Sequence, residues 1–128
     1  MRWFSKGSQK EVWEEDINWP LGDLDAASRI RAICSAASTS AEKMSGRAGG
    51  PEDKRSKRET ERYERAAKTA MEIAMKISDD LVRDSAVRQI IGLCMMANNL
   101  KTAEILLRVI HAEAFREEVL REHPQLRR

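Results

Sequence analysis

From Asp23 to Pro124 the apolar residues of this chain recur at spacings of three and four, and many of them are alanine. Ala27, Ile30, Cys34, Ala37 and Ala41 form one row with Ile33 beside it, and Tyr63, Ala66, Ala70, Ile73, Ala74 and Ile77 form a second. That period belongs to a helix face rather than a strand. Small side chains let helices approach closely, yet each stripe supplies little apolar area, at about 25 cal/mol per Å² buried. The expectation is an all-α protein in which several helices must pack together.

Four main helices are expected. The first starts at Asp23 or Asp25 as N-cap and runs to Met44, with Gly46 as its stop. The second carries the Tyr63–Ile77 stripe and ends at Ser78-Asp79-Asp80, whose side chains suit the N-cap of a third helix. That third helix, through Asn98, is apolar on two rows, Ala86, Ile90, Leu93, Ala97 and Val87, Ile91, Cys94, Met95, which suits an element sandwiched between neighbours. A fourth runs from Leu100 to the stop at Pro124. The 128 residues suit one domain: a single helical domain over 23–128, preceded by an arm over 1–22 and interrupted by a Gly- and Pro-containing linker at 46–56.

A repeat runs through the helices at a step of 33 residues, pairing Ala70 with Ala103, Ile73 with Leu106, Ile77 with Ile110, Arg83 with Arg116 and Val87 with Leu120. A second echo relates Ala26, Ile30, Ile33, Cys34 and Ala37 to Ala86, Ile90, Leu93, Cys94 and Ala97. A period near 33 is what stacked helix hairpins require, because each buries its apolar face only against its neighbours. Residues 81–116 resemble a tetratricopeptide-type hairpin, with Ile91-Gly92 where that family places a Leu-Gly pair and Ala103 within one residue of its small packing position. Arg88 stands where a Trp is usual and Arg116 where a Pro is usual. The resemblance implies a short array of stacked hairpins that binds peptides or proteins. A plain four-helix bundle is the alternative.

The net charge of +2 hides local balance, and no stretch forms a block of one sign. Lys54, Arg55, Lys57, Arg58 and Arg62 make the one basic segment, but Glu52, Asp53, Glu59, Glu61 and Glu64 interrupt it at spacings that suit a solvated helix face. Those five bases are the alternative reading, a nucleic-acid contact. Cys34 and Cys94 lie in no metal-spaced motif and read as small buried hydrophobes in a reducing compartment. His111 and His123 belong to no ligand spacing, no glycine-rich phosphate loop is present, and no nucleophile is isolated by its context. The expectation is therefore a non-catalytic protein with no cofactor, metal or small-molecule substrate. The N-terminus lacks the pattern of an export signal and no run is long and apolar enough to span a membrane, so the expected setting is the cytoplasm.

All three tryptophans, Trp3, Trp13 and Trp19, precede Pro20. In a short arm helix Trp13 and Ile17 share a face. Trp is enriched at interface hot spots, so Trp3, Trp13, Ile17 and Trp19 are the candidate partner-binding residues. Three readings are open: the arm packs back on the Ala-rich core, exchanges between protomers of a homo-oligomer, or docks on another protein. The functional expectation is an interaction or regulatory adaptor acting through helix faces and this arm, in which Trp13→Ala spares folding and weakens association.

Overall fold

The computed structural model describes residues 11–17, 19–45 and 54–127, without the side chains of Ser45 and residues 54–56. Five α-helices account for most of them: α1 (Asp23–Ser45), α2 (Lys54–Ala74), α3 (Asp80–Met96), α4 (Leu100–Val109) and α5 (Glu113–Glu122). Single 3-10 turns at Val12–Glu14 and Pro124–Leu126 flank them. Residues 54–56 of the expected linker are already helical, and 46–53 lie outside the described residues.

The contacts fix the topology. Lys43, near the end of α1, pairs with Glu59 near the start of α2, while Asp23 at the start of α1 meets Ser78 beyond the end of α2. The two helices are therefore antiparallel. Arg31 to Ser38 of α1 line a common groove with Gln89 to Met96 of α3, and Asp23 at the start of α1 accepts from Ser78 and Asp79 just before α3, so α1 and α3 run side by side in the same direction. Helix α5 continues that row, because Arg88 of α3 donates to Glu118 at 2.9 Å and also bonds Glu122. The arrangement is hairpin α1–α2 stacked on hairpin α3–α4, with α5 laid against α3.

The core follows the stripes. Ala26, Ile30, Ile33, Ala37 and Ala41 of α1, Tyr63, Ala66, Ala70 and Ile73 of α2, and Val87, Ile90, Ile91, Leu93 and Cys94 of α3 are buried in one cluster. Both apolar rows of α3 are covered, as its wide apolar arc requires.

The turn between α3 and α4 is made by two asparagines. Asn98 takes the left-handed conformation at φ 59°, and its N–H and that of Asn99 donate back to Met95 and Cys94 at 3.0 and 2.8 Å, a Schellman ending with Asn in the usual glycine place. The Asn99 side chain then accepts from Thr102 N–H and donates to the Tyr63 hydroxyl at 2.8 Å, starting α4 while fixing it to α2.

The fourth expected helix is two helices. The chain leaves helical geometry at Ile110–Ala112, where no Gly or Pro marks a break. The cause is tertiary: the fully buried Asp84 carboxylate of α3 accepts the N–H groups of His111 and Ala112 at 3.0 and 2.8 Å. The guanidinium of Arg116 donates to the Ile110 carbonyl at 2.6 Å. One repeat step earlier, Asp23 accepts Ser78 and Asp79 N–H at 3.0 and 2.9 Å, and Arg83 donates to the Ile77 carbonyl at 2.9 Å. Helix α2 accordingly ends at Ala74, before Ile77. The 33-residue step thus relates the Ile77–Arg83 pair to the Ile110–Arg116 pair, while the carboxylates that complete the two turns come from positions outside that step.

Asp84→Ala leaves two buried N–H groups without their acceptor and should lower unfolding free energy by about 3 kcal/mol, whereas Asp23→Ala, half-buried, should lower it by about 1 kcal/mol. Urea titration followed by circular dichroism measures both. Equal, small effects would show that the Asp84 bonds do not hold the α4–α5 turn.

Candidate docking groove

The arm is fastened to the first hairpin. Arg29 of α1 donates to the carbonyls of Glu15 and Asp16 at 2.6 and 3.2 Å. Arg62 of α2 lies 5.3 Å from the Trp13 ring centroid, donates to Ser40 Oγ at 3.0 Å and bonds the Glu11 carboxylate, while Arg65 pairs with Glu14 at 3.7 Å. Trp13 is 5% exposed and belongs to the core, with Val12, Ile17 and Leu21 packed half-buried against it. Trp19 is 44% exposed, with Lys76 Nζ 5.1 Å from its ring centroid. Trp3 lies outside the described residues.

The candidate residues therefore divide. Trp13 fills the protein's own interior, Ile17 supports it, and Trp19 alone of the described tryptophans presents its ring to solvent. Burial reverses the expectation that Trp13→Ala spares folding. Of the basic set, Lys57 and Arg58 are exposed, Arg62 is engaged with Trp13, Glu11 and Ser40, and the side chains of Lys54 and Arg55 lie outside the described residues. The two clusters meet at Arg62.

A different feature occupies the opposite side of α1. A groove of about 380 Å³ runs between α1 and α3, with Arg31, Ser35 and Ser38 on one wall, Gln89 and Met96 on the other, and Cys34, Gly92 and Leu93 between them. A Cβ at Gly92 would meet nothing within 4 Å. Leu24 lies eleven residues before Ser35, and Leu81 eleven before Gly92, which is three helical turns and the same row in each helix. Both leucines are exposed, 77% and 60%, and Met96 at the far end is 44% exposed. Ser28 and Ser85, also exposed, occupy the rows between. From Leu24 to Ser38 the face extends roughly 21 Å at a rise of about 1.5 Å per residue.

Sequence reading passed over these leucines, though each carries a signal. Leu24 sits in Asp23-Leu24-Asp25 and Leu81 follows Asp79-Asp80, off the core stripes and among acids. The methionines split as well: Met71 and Met95 pack against the core, while Met75 and Met96 are exposed.

Cys34 and Cys94 are free thiols, Cys94 buried and Cys34 half-buried in the groove wall. Burial, and then the neighbouring Cys94, pushes the Cys34 thiol up to about 12, so it stays protonated and unreactive near neutral pH. Burial likewise raises Tyr63, whose hydroxyl accepts from Asn99. The Arg88 hydrogen bond holds the Glu122 carboxyl below the usual range. Among the described residues no group of three or more His, Cys, Asp or Glu side chains is placed to hold a metal ion, and no helix is long and apolar enough to cross a membrane.

No family model matches the chain, and no curated protein or solved structure matches it either. The tetratricopeptide resemblance stands on the residues of 81–116 alone.

Trp13→Ala should destabilise the protein by about 3 kcal/mol or more as a buried indole lost from the core, and Trp19→Ala by under about 0.5 kcal/mol as a surface change. Thermal melts separate the two, and acrylamide should quench the emission lost in Trp19→Ala more readily than that lost in Trp13→Ala.

Proposed function

We propose that this protein is a non-catalytic interaction adaptor that receives a segment of a protein partner along the α1–α3 groove. The observation that supports this reading is the pair Leu24 and Leu81, two large exposed apolar side chains three turns before Ser35 and Gly92 on the same helix rows, with exposed Met96 in the groove lining. None of the three is part of the buried core cluster. Apolar groups placed together on a surface without a structural role mark interaction sites. The helix face from Leu24 to Ser38, which includes the groove, is as long as about fourteen residues of helix, and docking an amphipathic helix along such a face is a recurrent recognition mode.

Gly92 supports the same reading. Glycine within a helix is less favourable than alanine by up to about 1 kcal/mol, and here no close packing requires it. Its effect is to keep the groove floor low. The free thiols Cys34 and Cys94 fit the reducing environment of the cytoplasm. Self-association through the same groove is the homo-oligomeric form of this reading. Phosphate contact through Lys57 and Arg58 is the second reading, with less support because Arg62 is turned to the arm.

Gly92→Ala should raise stability by roughly 0.5–1 kcal/mol. Gly92→Phe should retain the fold and lose, by about tenfold or more, the binding of peptides selected from a displayed library on the unmodified protein. Binding by Gly92→Phe and by Leu24→Glu/Leu81→Glu at the unmodified level would move the interaction to another face.

A further inference from the structure

The α1–α3 groove is lined by one charged side chain, the guanidinium of Arg31. Its other polar lining groups, Ser35, Ser38 and Gln89, are neutral. The imbalance extends beyond the lining, because residues 26–41 of α1 and 85–96 of α3 hold three arginines and no acid. Two of the three are engaged: Arg29 donates to the carbonyls of Glu15 and Asp16, and Arg88 bonds Glu118 and Glu122 of α5. Arg31 is exposed, and its guanidinium makes no hydrogen bond or ion pair with another described residue.

The place of that charge is as informative as its sign. Arg31 follows Leu24 by seven residues, two turns on the same row of α1 or about 10 Å along its axis, and it precedes Ser35 by one turn. The nearest acids along α1 are Asp25 and Glu42, one on either side of this span. On α3 the nearest is Asp84, which is fully buried and bound to the N–H groups of His111 and Ala112. A single positive charge therefore stands in the middle of a face of serines and apolar groups, with acids only towards its ends. An occupant that covers Arg31 takes water from it, which costs free energy unless an acceptor replaces the water. A carboxylate does so with two parallel N–H bonds.

Resting on the docking reading above, we propose that the occupant is an amphipathic protein segment with an Asp or Glu near its middle, whose carboxylate pairs with Arg31 while apolar side chains about two turns away cover Leu24 and Leu81. A lysine in the same register would set like charges against each other. Nucleic acid and anionic lipid suit the groove less, because they are bound by several bases acting together and here one guanidinium has no free basic neighbour. Opposite charges at such a contact fix register and speed encounter more than they add affinity.

The test selects binders of the unmodified full chain from a displayed library of helical peptides of about sixteen residues, with leucine fixed on one face and the other positions drawn from Glu, Gln and Lys. The selected peptides should carry Glu at one central position about two turns from a leucine. In fluorescence anisotropy at low salt, exchanging that Glu for Lys should weaken binding by about tenfold, and Arg31→Glu should weaken the Glu peptide to a similar degree. Arg31→Glu should also bind the Lys peptide better than the unmodified protein does, Arg31→Gln should discriminate little between the two, and the preference should shrink as salt is raised. Peptides that bind equally well with Gln or Lys at that position, or a Glu preference that survives both Arg31 variants, overturn the charge assignment and leave the groove reading standing. A library that yields no binder, or binders indifferent to Gly92→Phe and to Leu24→Glu/Leu81→Glu, removes the groove reading and this proposal with it. Binding to phosphatidylglycerol vesicles, or self-association of the chain, that Arg31→Glu abolishes would assign Arg31 to lipid or to a second copy and overturn the proposal.

Discussion

The α4–α5 turn depends on one carboxylate. Asp84 is fully buried, yet it faces the N–H groups of His111 and Ala112 at hydrogen-bond distance, so its two oxygens are occupied. A buried charge without such partners would be strongly destabilising. With them, it does what no residue within 100–123 can do, which is to stop a helix whose local sequence favours continuing. Helix α5 can then fold back along α3, where Arg88 holds it through Glu118 and Glu122. Asp23 repeats the device at the α2–α3 turn with a half-buried carboxylate. The register of the stacked hairpins follows from these two acids, each reaching from the first turns of one hairpin to the turn that ends it.

An array of alanine-faced helices has a second difficulty at its ends, where the last stripe has no neighbour. Both ends are closed by the same economical means. At one end a 3-10 turn sets Trp13 against α1 and α2, and at the other a 3-10 turn buries Leu126 beside α4 and α5. One large side chain at each end substitutes for a further hairpin. The three arginines that grip the arm, Arg29, Arg62 and Arg65, act on its backbone carbonyls, its indole face and its carboxylates, so the arm is held by polar contacts around one apolar anchor.

How much of this was legible follows from whether the cause was local. Helix faces, the sandwiched character of α3 and its N-cap within Ser78-Asp79-Asp80 could be read because spacing and capping chemistry act within a few residues. The break at Ile110–Ala112 could not, since its cause lies 27 residues away at Asp84. Yet the pairs Ile77 with Ile110 and Arg83 with Arg116 were visible as a repeat, and the structure gives them a common role: each arginine bonds the carbonyl of the isoleucine six residues before it. Asp84, by contrast, corresponds to Glu117, which pairs with Arg127 instead. The arm was legible as three tryptophans but not as two environments, because burial of Trp13 and exposure of Trp19 depend on where α1 and α2 lie. Leu24 and Leu81 belong to no apolar stripe, so periodicity assigns them no place in the core.

Those misfits are what the proposed docking reading rests on. The ends of the array are covered by Trp13 and Leu126, the turns are satisfied by Asp23 and Asp84, and the flank between α2 and α4 is bridged by Tyr63 and Asn99. The α1–α3 flank sets Ser35, Ser38 and Gly92 among Arg31, Gln89 and Met96, and Leu24 and Leu81 on the same helix rows stand in water. Depressions of about 250 and 230 Å³ lie beside Tyr63 and Asn99 and beside Leu126, and the α1–α3 groove, at about 380 Å³, is larger than either. Retaining Gly92 within a helix and Leu24 between two aspartates works against stability and solubility respectively. Occupation of the groove by a partner segment would offset both, covering the leucines and filling the volume above Gly92.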